Sequence, residues 1–203
     1  MIQALAYSPV LTYRPKTRPE SGLASLIYHL ERAVGNEDPT STANNVREAL
    51  MNAIATYGSF IPDRFLRPTT HGYARRRIYI GADNRFSLLA MVWAPGQCTP
   101  LHDHGGAWCV ECVYRGEVQG RTYAHEAVRD GVHYFRETGV ARECEGQSSA
   151  LVPPFDHHIL ENRSDSVAVT LHVYPNELLA CNAYMPRDGG GCICNACTLG
   201  YCD

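Results

Sequence analysis

No run of apolar residues in this sequence approaches the ~18 that a membrane-spanning helix requires. Basic residues are not in excess either. Lys and Arg number 18 against 21 Asp and Glu, the formal net charge is -3, and no long run has one sign. That balance argues against a nucleic-acid or anionic-membrane partner. The first residues, Met1 to Tyr7, lack the basic start and long apolar core of a secretory signal, so the expected location is the cytoplasm. Internal repeats, low-complexity linkers and a paired-carboxylate signature are absent as well. At 203 residues the chain suits one domain with a sizeable core.

Cysteine is plentiful by contrast: there are nine, unevenly spread. Cys98, Cys109, Cys112 and Cys144 fall in strand-like segments and read as small apolar residues kept reduced. Cys181, Cys192, Cys194, Cys197 and Cys202 crowd the C-terminal end. The odd total argues against an extracellular disulfide framework. The Cys194-to-Cys197 spacing could bind zinc, cycle as a disulfide or serve an interface. A tail without defined chemistry is the alternative, and three preceding glycines suggest a flexible lead-in.

Prolines 9, 15 and 19 make the first 20 residues an irregular arm. Leu23, Leu26, Ile27, Leu30 and Val34 then fall at helical spacing, with Gly35 as the stop signal. A second helix is expected from about Thr42 to Tyr57, with Val46, Leu50, Ala53, Ile54 and Tyr57 along one stripe. After Pro68 the period changes. Segments 77–80, 86–93, 108–114 and 166–174 are rich in β-branched and aromatic residues, separated by turns at 81–84, 94–96, 130–131 and 145–146. Many short strands after two helices predict a mainly β barrel with an N-terminal helical segment packed outside it. The expected divisions are an arm and helices over 1–70, the barrel over 71–178 and a cysteine-rich tail over 179–203.

The chemistry concentrates at His102 and His104. One residue apart on an extended strand, they share a face and can grip one metal ion, while Asp103 points the other way. His158 can complete the set. Its neighbour His157 faces away and is a reserve ligand at best. His29, His71, His125 and His133 have no partner at ligand spacing and read as surface or turn residues. Imidazole suits iron, zinc, copper and nickel alike.

Gly96, His102, His104 and Gly116 form one block; Gly146, Pro153-Pro154, His158 and Asn162 form a second. Together they resemble the two motifs of the cupin superfamily, which implies a double-stranded β-helix barrel with a metal near its mouth. The glutamate ligand usual in cupins would stand five residues after His104, where this chain has Cys109. Glu111, two residues on and on the same face, is an alternative carboxylate.

A cysteine at that place is a feature of the cysteine dioxygenase family, and two further runs strengthen the resemblance. Thr170, His172 and Tyr174 match its Ser-x-His-x-Tyr run, with threonine keeping the hydroxyl. Tyr73 and Arg75 match its Tyr-x-Arg run. Strand alternation puts Arg75 and Arg77 on one face and Arg76 on the other, so the carboxylate-binding arginine is open among the three, with Arg75 first. In relatives acting on mercapto acids that arginine lies on the C-terminal side, where Arg187 stands.

The resemblance, over roughly residues 73 to 175, implies a non-haem iron(II) thiol dioxygenase. His102, His104 and His158 would hold Fe(II). Arg75 would bind the carboxylate of a small thiol, L-cysteine first, which together with O2 gives a sulfinic acid. Tyr174 would orient oxygen or carboxylate, a Cys109–Tyr174 thioether cross-link could fix it, and His172 and Thr170 would set its position. Rival readings are a mercapto-acid dioxygenase (3-mercaptopropionate, for example), a zinc or nickel isomerase, and a non-catalytic metal-binding cupin sensor.

Overall fold

In the computed structural model the described residues are 21–35 and 38–202. The expected N-terminal arm lies outside them.

Helix α1 spans Gly22–Ala33, and Ser21 caps it by accepting the Ala24 N–H at 3.2 Å. It ends through Val34 in extended backbone (φ -83, ψ 94), with the Val34 N–H still bonded to Leu30. Helix α2 spans Pro39–Tyr57 and starts three residues before the expected Thr42. The cause is Asp38, whose carboxylate accepts from Thr40 N at 2.9 Å and Ser41 N at 3.1 Å ahead of a proline in the first turn. Among the described residues no helix is long and apolar enough to cross a membrane.

Among the described residues eleven strands follow: β1 Ala74–Ile80, β2 Ser87–Trp93, β3 Leu101–His102, β4 Cys109–Arg115, β5 Glu117–Arg129, β6 Val132–Cys144, β7 Ser148–Leu151, β8 His158–Glu161, β9 Ala168–Tyr174, β10 Ala180–Pro186 and β11 Cys192–Thr198. Five form one antiparallel sheet in the order β1-β2-β9-β4-β7. The other six pair in a closed ring, β10-β11-β6-β5-β8-β3. This is the expected mainly β barrel of cupin type, with its helices at the N-terminal end.

Strands β2, β9 and β4 are buried on both faces. Leu88, Ala90, Val92, Val110, Cys112, Leu171 and Val173 join Leu26, Leu30, Val46, Leu50 and Ile54 in a core between sheet and helices. The alternate residues Leu89, Met91, Trp93, Cys109, Val113 and Tyr174 face the barrel interior with Leu160 and Leu178. Burial on both sides explains why β2 reads as a nearly continuous apolar run, while β9 alternates apolar residues with the polar Thr170, His172 and Tyr174. Tyr114 ties the helical segment to the barrel: its hydroxyl accepts from Phe60 N at 2.5 Å and Ile61 N at 2.8 Å.

The sheet of six holds two hairpins, one at the expected 130–131 turn and one in the expected cysteine-rich tail. The long hairpin β5–β6 turns at Asp130 (φ 51) and Gly131 (φ 75), a two-residue turn with both φ positive that favours glycine or Asx. The cysteine-rich C-terminal segment is likewise a hairpin. β10 and β11 pair over their full length, β10 also pairs with β3 and β11 with β6, and the three glycines 189–191 lie in the connecting turn. Of the four scattered cysteines, Cys109 and Cys112 are buried as expected, whereas Cys98 and Cys144 are exposed.

Candidate metal centre and its cavity

His102 stands directly opposite His158 across β3 and β8. His104 follows two residues after His102, so period two returns it to the same side. The three ring centroids lie 4.5, 5.1 and 5.2 Å apart, and one ligand nitrogen from each falls within 4.8 Å of the others. His104 and His158 are 2 % exposed, and the edge of His102 reaches solvent. Burial and the neighbouring His104 push His102 down to about 4. Burial, then His102 and His104, push His158 well below the imidazole range. Neutral rings are what a metal requires.

The hydrogen bonding fits a cation. Nδ1 of His102 is 3.0 Å from the Pro100 carbonyl, which leaves Nε2 for a ligand bond. Nε2 of His158 is buried without a hydrogen-bond partner, a costly arrangement unless something else takes it up. Asp156, which the sequence reading passed over, accepts the His104 N–H at 3.2 Å and lies 3.5 Å from His104 Nδ1. Burial raises its carboxyl, but contact with His104 outweighs this and holds it below the usual range. Its sequence signal is a carboxylate two residues before a candidate ligand.

Asp103 points away, as expected, and works on the fold. It accepts from Gly105 N (2.9 Å), Asn182 N (2.9 Å), Asn182 Nδ2 (2.8 Å) and Tyr184 OH (3.0 Å). That clasp pins β10 beside β3.

On the facing sheet, Glu111 is opposite His172 and Val110 opposite Val173, so the same register sets Cys109 opposite Tyr174. The Thr170 hydroxyl lies 2.8 Å from His172 Nε2 and accepts from Trp93 Nε1 at 2.9 Å. His172 Nδ1 is 3.4 Å from Tyr174 OH and 3.8 Å from Cys109 Sγ. The expected line from Thr170 through His172 to Tyr174 is therefore present, extended by Trp93 at one end. Burial pushes the Tyr174 phenol and the Cys109 thiol well up and His172 well down, so all three are neutral.

Glu111 is buried behind the histidines, 3.7 Å from His158 Nδ1 and 3.8 Å from His172 Nδ1. Burial raises its carboxyl to about 8. It groups with Cys109 and His172 as possible ligand atoms, separately from the three histidines.

A cavity of about 230 Å³ opens on these groups, lined by His102, His104, His158, His172 and Tyr174 together with Tyr73, Trp93, Leu178 and Leu199. Arg75 is the arginine in its wall. It is opposite the cavity residue Met91 on β2, is 5 % exposed, and donates to Leu178 O at 2.7 Å and Gly200 O at 3.2 Å. Arg76 turns to Arg67 O at 2.9 Å, and Arg77 pairs at the surface with Glu177 at 2.6 Å. Arg187 lies in the β10–β11 turn and does not line the cavity.

Sequence reasoning missed a second histidine group. His125, His133 and His157 meet on the outer face of the β5–β6 hairpin, with Phe135 and Tyr184 among them. His133 Nδ1 is 3.1 Å from His125 Nε2. A bulge between His125 and Ala127 brings the two together, and such a bulge has no signature in the histidine spacing. His157 faces away from the metal centre, as expected.

The family model for cysteine dioxygenase type I matches residues 24–187. The chain belongs to that family. Cysteine dioxygenase type 1 of Homo sapiens is 25% identical over 118 residues, 58% of this chain and 58% of that protein. The Bos taurus protein of the same name matches at the same identity and coverage. The chain thus spans under two thirds of the length of these relatives. Among solved structures, a conserved protein with a double-stranded β-helix domain from Klebsiella pneumoniae aligns at 17% identity and TM-score 0.46, covering 61% of this chain and 89% of that one. A Cupin 2 conserved barrel domain protein from Salinispora arenicola aligns at 18% identity and TM-score 0.40, over 59% and 87%. The family match extends N-terminally into α1, well beyond the segment whose motifs resemble cysteine dioxygenase.

Proposed function

We propose that this chain is a non-haem iron(II) thiol dioxygenase that oxidises a small thiol, L-cysteine first, to its sulfinic acid with O2. The observation that carries the reading is one small cavity walled by three convergent histidines and by a single buried arginine. About 230 Å³ falls below the ~300–1,000 Å³ of ordinary drug-sized pockets and suits a metabolite of a few heavy atoms.

His102, His104 and His158 would hold the iron, and with Cys109 in place of the cupin carboxylate the protein supplies no negative ligand. Iron held there would offer coordination positions for the substrate thiolate and for dioxygen, and the redox chemistry that lets the substrate sulfur reduce dioxygen. Arg75 binds the substrate carboxylate, its guanidinium held in place by the Leu178 and Gly200 carbonyls and still carrying free donors for a bidentate grip. Thr170 accepts from Trp93, and we assign its own proton to His172 Nε2, so that His172 Nδ1 carries the ring proton toward Tyr174. Tyr174, kept protonated by burial, donates its hydroxyl to oxygen or to the carboxylate. A thioether between Cys109 and Tyr174, opposite each other on neighbouring strands, would fix the tyrosine. The apolar walls, Trp93, Leu160, Leu178 and Leu199, limit water.

The mercapto-acid reading calls for a carboxylate-binding arginine on the C-terminal side, and Arg187 is outside the cavity wall, which favours the amino-thiol substrate. Anaerobic iron loading followed by oxygen uptake with L-cysteine, 3-mercaptopropionate and cysteamine tests the assignment. L-cysteine should give the fastest uptake. Iron-replete protein inert with every thiol would overturn the dioxygenase reading, and preference for the amine-free acid would take Arg75 out of its role. The cross-link should appear as a doublet on a denaturing gel that collapses in Tyr174→Phe.

A further inference from the structure

In the β10–β11 hairpin Cys181 stands directly opposite Cys197. Both line the cavity that holds Arg75 and the three histidines. Directly opposed residues of an antiparallel pair are about 4.5–5.5 Å apart at Cα, inside the ~4.4–6.8 Å range a disulfide spans. Among the described residues no other two cysteines are partners in a strand register. Cys192 and Cys194 pair with Pro186 and Tyr184, an odd number of residues from Cys197, and so occupy the opposite face. Cys181 is 8 % exposed, while Cys197 is partly open, its thiol 3.6 Å from the Asn195 carbonyl.

We propose that Cys181 and Cys197 form a reversible disulfide in the cavity wall, made by exchange with the disulfide of a small thiol. The more accessible Cys197 attacks first as its thiolate: a Cys197–S–S–R bond forms, the R–S–S–R bond breaks, and RS⁻ leaves. Cys181 then gives its proton to solvent and attacks the Cys197 sulfur, forming Cys181–Cys197 and releasing the second RS⁻. The two thiolates take up two protons. Two cysteines are oxidised by two electrons in all, and one small disulfide is reduced to two thiols. Cys181 suits the second step: burial raises its thiol to about 11, so it is slow in solution and effective only against a sulfur already held beside it.

The bridge ties β10 to β11 at the level of the cavity, beside the Leu199–Leu179 backbone bond, and removes two thiols from its wall. A cavity that admits a small thiol thereby registers the oxidation state of that thiol pool, and we infer that the bridged form turns over more slowly. This consequence for turnover rests on the thiol dioxygenase reading; the bridge does not.

The test uses the iron-loaded full chain, exposed to cystamine, alkylated and mapped by peptide mass spectrometry. The expected result is a linked peptide joining Cys181 to Cys197, absent in Cys197→Ser, where Cys181 stays free to alkylate. Oxygen uptake with L-cysteine should fall severalfold in step with the link and return with a phosphine reductant. A mixed disulfide persisting at Cys197, or a link between other cysteines, overturns the bridge. A quantitative bridge with unchanged uptake overturns its effect on turnover. A bridge forming normally in iron-replete protein that consumes oxygen with no thiol upholds the bridge and overturns the dioxygenase reading.

Discussion

His157 and His158 are neighbours in the chain and end on opposite sides of the same sheet. His158 points inward with His102 and His104, where each ring is desolvated and a buried nitrogen lacks a protein partner. His157 points outward with His125 and His133, where the rings lie against one another and against Phe135 and Tyr184. Each group has three imidazoles. Only the inner one has nitrogens converging on a point; Asp156 stands between the groups, 3.5 Å from His104 Nδ1 and 3.8 Å from His157 Nδ1. Convergence and burial distinguish a candidate metal centre from an aromatic cluster; the number of histidines does not.

The comparison breaks most decisively at His158→Ala, which should abolish bound iron and lower oxygen uptake by on the order of 100-fold or more, read by metal analysis of the purified protein. Iron retained at the wild-type ratio would mean that the inner trio is not the centre. Asp156→Asn should come next, weakening iron by roughly 10- to 100-fold in competition with a chelator, since it removes the charge beside His104 and leaves the ring in place. Thr170→Val keeps the shape of the side chain but strips partners from the Trp93 and His172 nitrogens. A loss of about 1–3 kcal/mol in denaturant unfolding is expected, with iron content unchanged.

The outer trio should respond least. His133→Gln is expected to leave iron content and oxygen uptake at wild-type levels. Burial, then His133 and His157, lower His125 below its ordinary value, so the unfolded chain binds the proton more readily. The outer cluster's contribution is therefore present above the imidazole range and declines as the pH falls through about 6.5. Melting curves on either side of that pH should show a small drop in the wild type and a smaller one in His133→Gln. A variant that loses iron instead would merge the two groups.

Where a functional residue sits on a regular strand, local rules find it. Period two places Thr170 with His172 and Tyr174, and Arg75 apart from Arg76; it also serves for His104, which lies just past the end of β3. It cannot rank Arg75 above Arg77, which share a face by alternation; Arg77 sits next to the register shift before Tyr79 and ends at the surface beside Glu177. Asp156 was passed over because it precedes its strand, where alternation has no hold. The hairpin of β10 and β11 was obscured by composition: cysteines and a glycine triplet carry little strand preference, and pairing with β3 and β6 overrides it. The Cys181–Cys197 opposition follows from that pairing and was equally hidden.

The end of the described chain lies against the arginine proposed to recognise substrate. Gly200 accepts from the Arg75 guanidinium, the Tyr201 ring lies 5.1 Å from it, and the Cys202 N–H bonds back to the Arg75 carbonyl at 2.8 Å. An engineer choosing where to attach a purification handle or a fluorescent fusion should therefore treat the C-terminal side as part of the cavity. Trimming or burdening those last residues would alter the seat of the cation without touching a single cavity histidine.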